Sequence, residues 1–97
     1  MDESSVRETA QSHGDAVVAG DFAAAGAVLT AESSAAAPGI MKALPRPLIK
    51  AEVDSVEPRG DGFVARIRYS GEAESVVIAS TWADVDGAAK IVGLEVL

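Results

Sequence analysis

The spacing of apolar positions changes once along the chain, from threes and fours to twos, and the change falls at Pro45-Arg46-Pro47. Over residues 4–19, Val6, Ala10, His13 or Gly14, and Val17 recur on one side while Arg7, Glu8, Gln11 and Asp15 lie off it, which predicts an amphipathic helix. Ser4 or Ser5 is the expected N-cap, and Gly20 the expected left-handed stop. Asp21 then caps a second helix, whose apolar side carries Phe22, Gly26 and Leu29 with Ala25 and Val28 beside them. Phe22 and Leu29 are its expected core anchors. Thr30 ends that helix and caps an alanine-rich stretch reaching Leu44. Pro38-Gly39 is expected to break this stretch and leave a short helix over 39–44, because an interior proline removes a backbone donor and collides with the preceding turn. At the junction each proline pushes its predecessor toward extended backbone, so helix ends there.

Beyond the junction, alternation predicts four antiparallel strands. In the first, residues 48–57, Ile49, Ala51 and Val53 share one parity but Val56 takes the other, so a bulge is expected near Asp54-Ser55. Pro58 to Gly62 has turn composition. The second strand, 63–70, sets Phe63, Ala65, Ile67 and Tyr69 against Val64, Arg66, Arg68 and Ser70, and a turn at Gly71 follows. The third, 75–85, is apolar on both parities: Val76, Ile78 and Trp82 on one, Val77, Ala79, Ala83 and Val85 on the other. Asp86-Gly87 is a tight hairpin signal leading into the fourth, 90–97, again apolar on both parities.

Length and composition narrow the picture. The 97 residues form one expected domain, 1–97, with a helical half over 4–44 and a sheet half over 48–97. Of the apolar 48%, nineteen residues are alanine and only four are aromatic, so the core gains stability by close approach rather than bulk. A formal net charge of −7 opposes binding to nucleic acid or anionic membranes. With no cysteine there is no disulfide and no thiolate chemistry. The acidic, polar start and the lack of a long apolar run predict a cytoplasmic chain without a membrane span.

Several local patterns combine at this point. A first helix ends in Ala19-Gly20-Asp21-Phe22, a second helix follows at once, and a late strand runs from Trp82 through Asp86-Gly87 into Lys90-Ile91-Val92-Gly93-Leu94. In these segments, roughly 4–30 and 75–97, the chain resembles the nuclear transport factor 2-like superfamily, a cystatin-like cone fold that includes polyketide cyclase-like and ketosteroid isomerase-like proteins. The middle departs from that pattern, with a proline-interrupted helical segment and only four strands where family members carry an extra hairpin or strand. The resemblance implies an α+β cone reduced in length, a curved sheet wrapped around helices, a pocket at its open end and dimerisation through the sheet.

Chemistry-bearing residues are few. His13, the only histidine, lies on or beside the first helix's apolar stripe, either as a general base or ligand-orienting donor or, more simply, as a boundary side chain bonded to backbone or water. Tyr69 and Trp82 on adjacent strands line a pocket mouth in one reading and serve as core or interface aromatics in the other, and Met41 with Ile40 closes the same pocket or only packs. Arg66 and Arg68 form a carboxylate fork or pair with Glu52 and Asp54 across the sheet. No metal-ligand spacing, nucleophile elbow or phosphate loop is present, so no cofactor, metal or catalytic residue is assigned. The doubly apolar strands point first to a homodimeric structural or interaction module joined through the outer sheet face. The alternative is a small apolar-ligand-binding protein or isomerase/cyclase-like enzyme with a pocket formed by His13, Met41, Tyr69 and Trp82, provided that so alanine-rich a chain keeps ~300 Å³ open.

Overall fold

In the computed structural model, which describes residues 1–97, three helices are followed by a four-stranded antiparallel sheet. Helix α1 is Glu3–Ala19, α2 is Phe22–Gly26 and α3 is Ala31–Ala43; the strands are β1 Lys50–Arg59, β2 Gly62–Ser70, β3 Ser75–Val85 and β4 Ala88–Val96. The sheet is a simple meander in the order β1-β2-β3-β4. No helix is long and apolar enough to cross a membrane.

The caps hold the helices where the sheet needs them. Asp2, rather than Ser4 or Ser5, is the N-cap of α1, its Oδ1 accepting from the Ser5 N–H at 2.8 Å; a carboxylate also suits the positive end of the helix dipole. Gly20 closes α1 at φ 76°, and Asp21 accepts from the Ala24 N–H to start α2. Helix α2 is only five residues long, and Phe22 is 58% exposed rather than a core anchor: it stands at the first position of a single turn in which only Ala25 is buried. Thr30 and Ser33 form a reciprocal capping box for α3.

Pro38 does not break α3, which runs unbroken to Ala43. The carbonyl that loses its donor belongs to Ser34, an exposed residue that water can serve, and the cap at Thr30 fixes the helix independently of that one bond. The link from α2 to α3 was not foreseen from periodicity. Leu29 makes a parallel bridge with Ile91, Ile91 N–H donates to Val28 O at 2.7 Å, and Thr30 N–H and Ser33 Oγ both donate to Ile91 O. Residues 28–30 thus cover the middle of the β4 edge and dock the start of α3 on the sheet.

Both outer strands carry a bulge. Register slips between Val53 and Ser55 in β1, as the parity change predicts, and opposite Thr81/Trp82 in β4, where Val92 is the extra residue. The second slip lets Ile91 and Leu94 face the helices together and removes part of the apparent double-sidedness of β4. The edge of β1 is met by one side chain: Gln11 donates to Ala51 O at 2.9 Å and accepts from the Val53 N–H at 3.1 Å, completing two ladder positions from α1.

The core lies between α1 and the helix-facing side of the sheet, with Val6 and Ala10 on Ala51, Val56, Ala65 and Ile67, and Trp82 and Ile91 beside them. On the outer face Arg68 pairs with Asp54 at 2.7 Å. Arg66 meets Glu57 at 3.1 Å rather than Glu52, because the β1 bulge shifts which residue lies beside it.

Candidate functional site

Helix α1 packs on β1 and β2 while α3 packs on β4, so neither helix lies directly over β3, whose Ile78, Ser80 and Trp82 are nonetheless buried beneath the surrounding side chains. Between the two helices lies a cavity of about 260 Å³. Its floor is one residue from each of three strands: Tyr69 of β2, Ile78 of β3 and Leu94 of β4. Helix α1 contributes His13 and Val17 as one wall, and the α3 side contributes Ser34, Ala37, Ile40, Met41 and Leu44 as the other. Phe22, Ala25, Gly26 and Leu29 close the end, with Phe22 exposed at the rim. No Lys, Arg, Asp or Glu touches the cavity.

The polar equipment is small and well defined. His13 is 9% exposed, and its Nδ1 lies 3.0 Å from the Ala25 carbonyl. A carbonyl only accepts, so Nδ1 carries the proton and Nε2 presents a lone pair. Nε2 has no protein partner, and since no fully buried side-chain nitrogen or oxygen lacks one, this atom keeps some exposure on a residue that lines the cavity. Burial pushes the imidazole pKa below its usual value, against a smaller opposing pull from the Ala25 carbonyl, so the neutral ring prevails at neutral pH.

Tyr69 is 3% exposed, and its hydroxyl likewise lacks a protein partner. Burial, then the negative charge of Asp15, raises its pKa, so the phenol keeps its proton and can donate. The hydroxyl lies beside Gly14: a Cβ there would stand 3.8 Å from Tyr69 Oη, an ordinary contact, but only 2.9 Å from the Ala51 Cβ. The absent side chain lets α1 settle closely onto Ala51 and Ile67 of the sheet.

Three of the four residues singled out from the sequence, His13, Met41 and Tyr69, line this one cavity. Trp82 does not. It is fully buried, and its ring stands edge-to-face with that of His13, centroids 6.4 Å apart at 83°. Its Nε1–H donates to Ser80 Oγ at 2.9 Å, and Ser80 donates onward to Ala65 O at 2.8 Å, so the indole is a fixed support behind the imidazole. Leu29, Ala37, Ile78 and Leu94 carried no sequence signal as lining residues, since each looks like an ordinary core position in its own element. No three His, Cys, Asp or Glu side chains converge to hold a metal ion. No family model, curated protein or solved structure matches the chain.

Proposed function

We propose that the chain is a binding module for a small, largely apolar ligand held between the helices and the sheet. The observation that carries this reading is an apolar cavity whose lining includes two largely buried polar side chains, His13 and Tyr69, with His13 Nε2 and Tyr69 Oη free of any hydrogen bond within the protein. A few polar groups in an otherwise apolar lining are the usual make-up of a site for a small ligand. The resemblance to the nuclear transport factor 2-like superfamily points the same way, since a cone of this kind carries its pocket between helices and sheet; we read the chain as a reduced member. Catalysis receives no support from the lining, because the imidazole is oriented by a backbone carbonyl and no carboxylate stands with it. The test is titration of the labelled protein with a panel of small aromatic and alicyclic compounds followed by methyl and amide NMR. Saturable shifts confined to Met41, Leu29, Ile78, Leu94 and their neighbours are expected. An unresponsive cavity, or shifts only on the outer sheet face, overturns the reading.

A second reading concerns self-association. The outer face divides: its β1–β2 half carries the Arg66–Glu57 and Arg68–Asp54 ion pairs, whereas its β3 stripe of Val77, Ala79, Ala83 and Val85 is only half-buried and no element of the chain covers it. A second copy meeting that stripe through a two-fold axis would cover it. Light scattering should then give a dimer that Val77→Lys converts to monomer; a monomeric wild type at tens of micromolar removes this reading and leaves the cavity reading intact.

A further inference from the structure

We infer that the cavity takes an uncharged single-ring alcohol or phenol, whose hydroxyl donates to His13 Nε2 and accepts from Tyr69 Oη while its hydrocarbon part lies against α3. This assignment rests on the ligand-binding reading above and adds the ligand's chemical class.

The first argument is charge. With no ionised residue in the lining, a carboxylate or ammonium would enter a desolvated site with nothing to pair it, which costs several kcal/mol. The net charge of −7 further disfavours anions. The second argument is donor and acceptor polarity. Because the Ala25 carbonyl fixes the proton on His13 Nδ1, Nε2 can only accept, and the Tyr69 hydroxyl is free to donate. One group satisfies both at a single atom: a hydroxyl, giving its hydrogen to nitrogen and a lone pair to the phenol. A ketone or ether would meet Tyr69 but leave Nε2 unpaired, and a hydrocarbon would leave both.

Position and size complete the class. His13 belongs to α1, and Tyr69 Oη lies beside Gly14 of the same helix, so both polar groups sit on the α1 side. Across the cavity, Ala37, Ile40 and Met41 offer only apolar surface. The volume of about 260 Å³ exceeds the ~150 Å³ that houses benzene in an apolar cavity and falls short of the ~300 Å³ at which drug-sized sites begin. A ring with a short alkyl chain fits; a fused polycycle does not.

Four compounds of nearly one shape test this: 4-propylphenol, 4-propylanisole, propylbenzene and 4-propylbenzoate, titrated into the full chain at pH 8 by calorimetry and NMR. The phenol is expected to bind about tenfold more tightly than the ether or the hydrocarbon, as one to two net hydrogen bonds require. It alone should shift the His13 Nε2 resonance, and the benzoate should bind weakest. Tyr69→Phe should weaken phenol binding about three- to tenfold and leave propylbenzene unchanged, a contrast that a merely loosened fold would not produce. Equal binding of the first three compounds overturns the hydroxyl assignment while the cavity reading stands, as does preferred binding of the benzoate. Failure of all four overturns both.

Discussion

Replacing Gly14 by alanine sets two effects of opposite sign against each other. In an exposed helix interior, glycine to alanine gains about 1 kcal/mol. At Gly14 the new Cβ would stand 2.9 Å from the Ala51 Cβ and 3.4 Å from Ile67 Cγ2, and the first of these is attached directly to strand backbone that cannot swing aside. Forcing a methyl into such a contact costs about 1–3 kcal/mol. The clash therefore outweighs the propensity, and the expected result is a net loss of about 1–2 kcal/mol, read as a midpoint lowered by roughly 5–10 °C in thermal unfolding and confirmed by urea titration. Gly39 supplies the control. It is also helical, but nothing lies within 4 Å of its would-be Cβ, so Gly39→Ala should raise stability by about 0.5–1 kcal/mol. Ala51→Gly in the Gly14→Ala background should recover part of the loss, giving a coupling of about 1 kcal/mol in the double-mutant cycle. Were Gly14→Ala as stabilising as Gly39→Ala, the close approach of α1 to the sheet would be refuted.

Stability should fall as pH drops below about 6.5: above that point His13 is neutral folded and unfolded, below it the unfolded chain takes up a proton that the buried ring refuses, and the loss proceeds at up to about 1.4 kcal/mol per pH unit until the folded-state pKa is reached. Urea unfolding at pH 7.5, 6.5 and 5.5 measures it, and a flat profile contradicts the burial of this histidine. Ser80→Ala leaves Trp82 Nε1–H without its acceptor at a fully buried position and should cost about 2–3 kcal/mol in the same assay; a loss below about 0.5 kcal/mol would remove the support assigned to Ser80. Ala37→Leu, which places three carbons in the cavity, should raise stability by up to about 2 kcal/mol and abolish binding of 4-propylphenol; retained binding would place the ligand elsewhere.

The elements that local chemistry dictates could be read from the sequence, and those set by contacts distant along the chain could not. Gly20, Asp21 and Thr30 act where their side chains or φ preferences say, and the unmatched parity of Val56 announced the β1 bulge. The β4 bulge is hidden because the strand is apolar on both parities and Gly93 is silent about which face it takes, so Ile91 and Leu94, of opposite parity in the sequence, both face the helices. Pro38 misled because the cost of an interior proline depends on whether the orphaned carbonyl can reach water, which periodicity does not disclose. Phe22 misled through its size: the largest side chain of a short helix was given the core, whereas a single turn has room to bury only Ala25. His13 and Tyr69 are visible in the sequence as chemistry-bearing residues, but nothing there shows that the Tyr69 hydroxyl lies beside Gly14, the chain neighbour of His13.

The thin core has a second meaning once the cavity is placed. A partly open apolar hollow of about 260 Å³ leaves its lining without the close packing found in the rest of the core. Such a space persists only if its walls are held from behind and cannot collapse inward. The supports lie outside the hollow. Gln11 fastens α1 to the β1 edge, Thr30 and Ser33 fasten α3 to Ile91, and Ser80 fixes the indole that backs His13. Between those fixed points the walls carry Ala25, Gly26 and Ala37, side chains too short to reach across. Larger residues there would fill the space and strengthen the core, so the small size of Ala25, Gly26 and Ala37 is what keeps the cavity open.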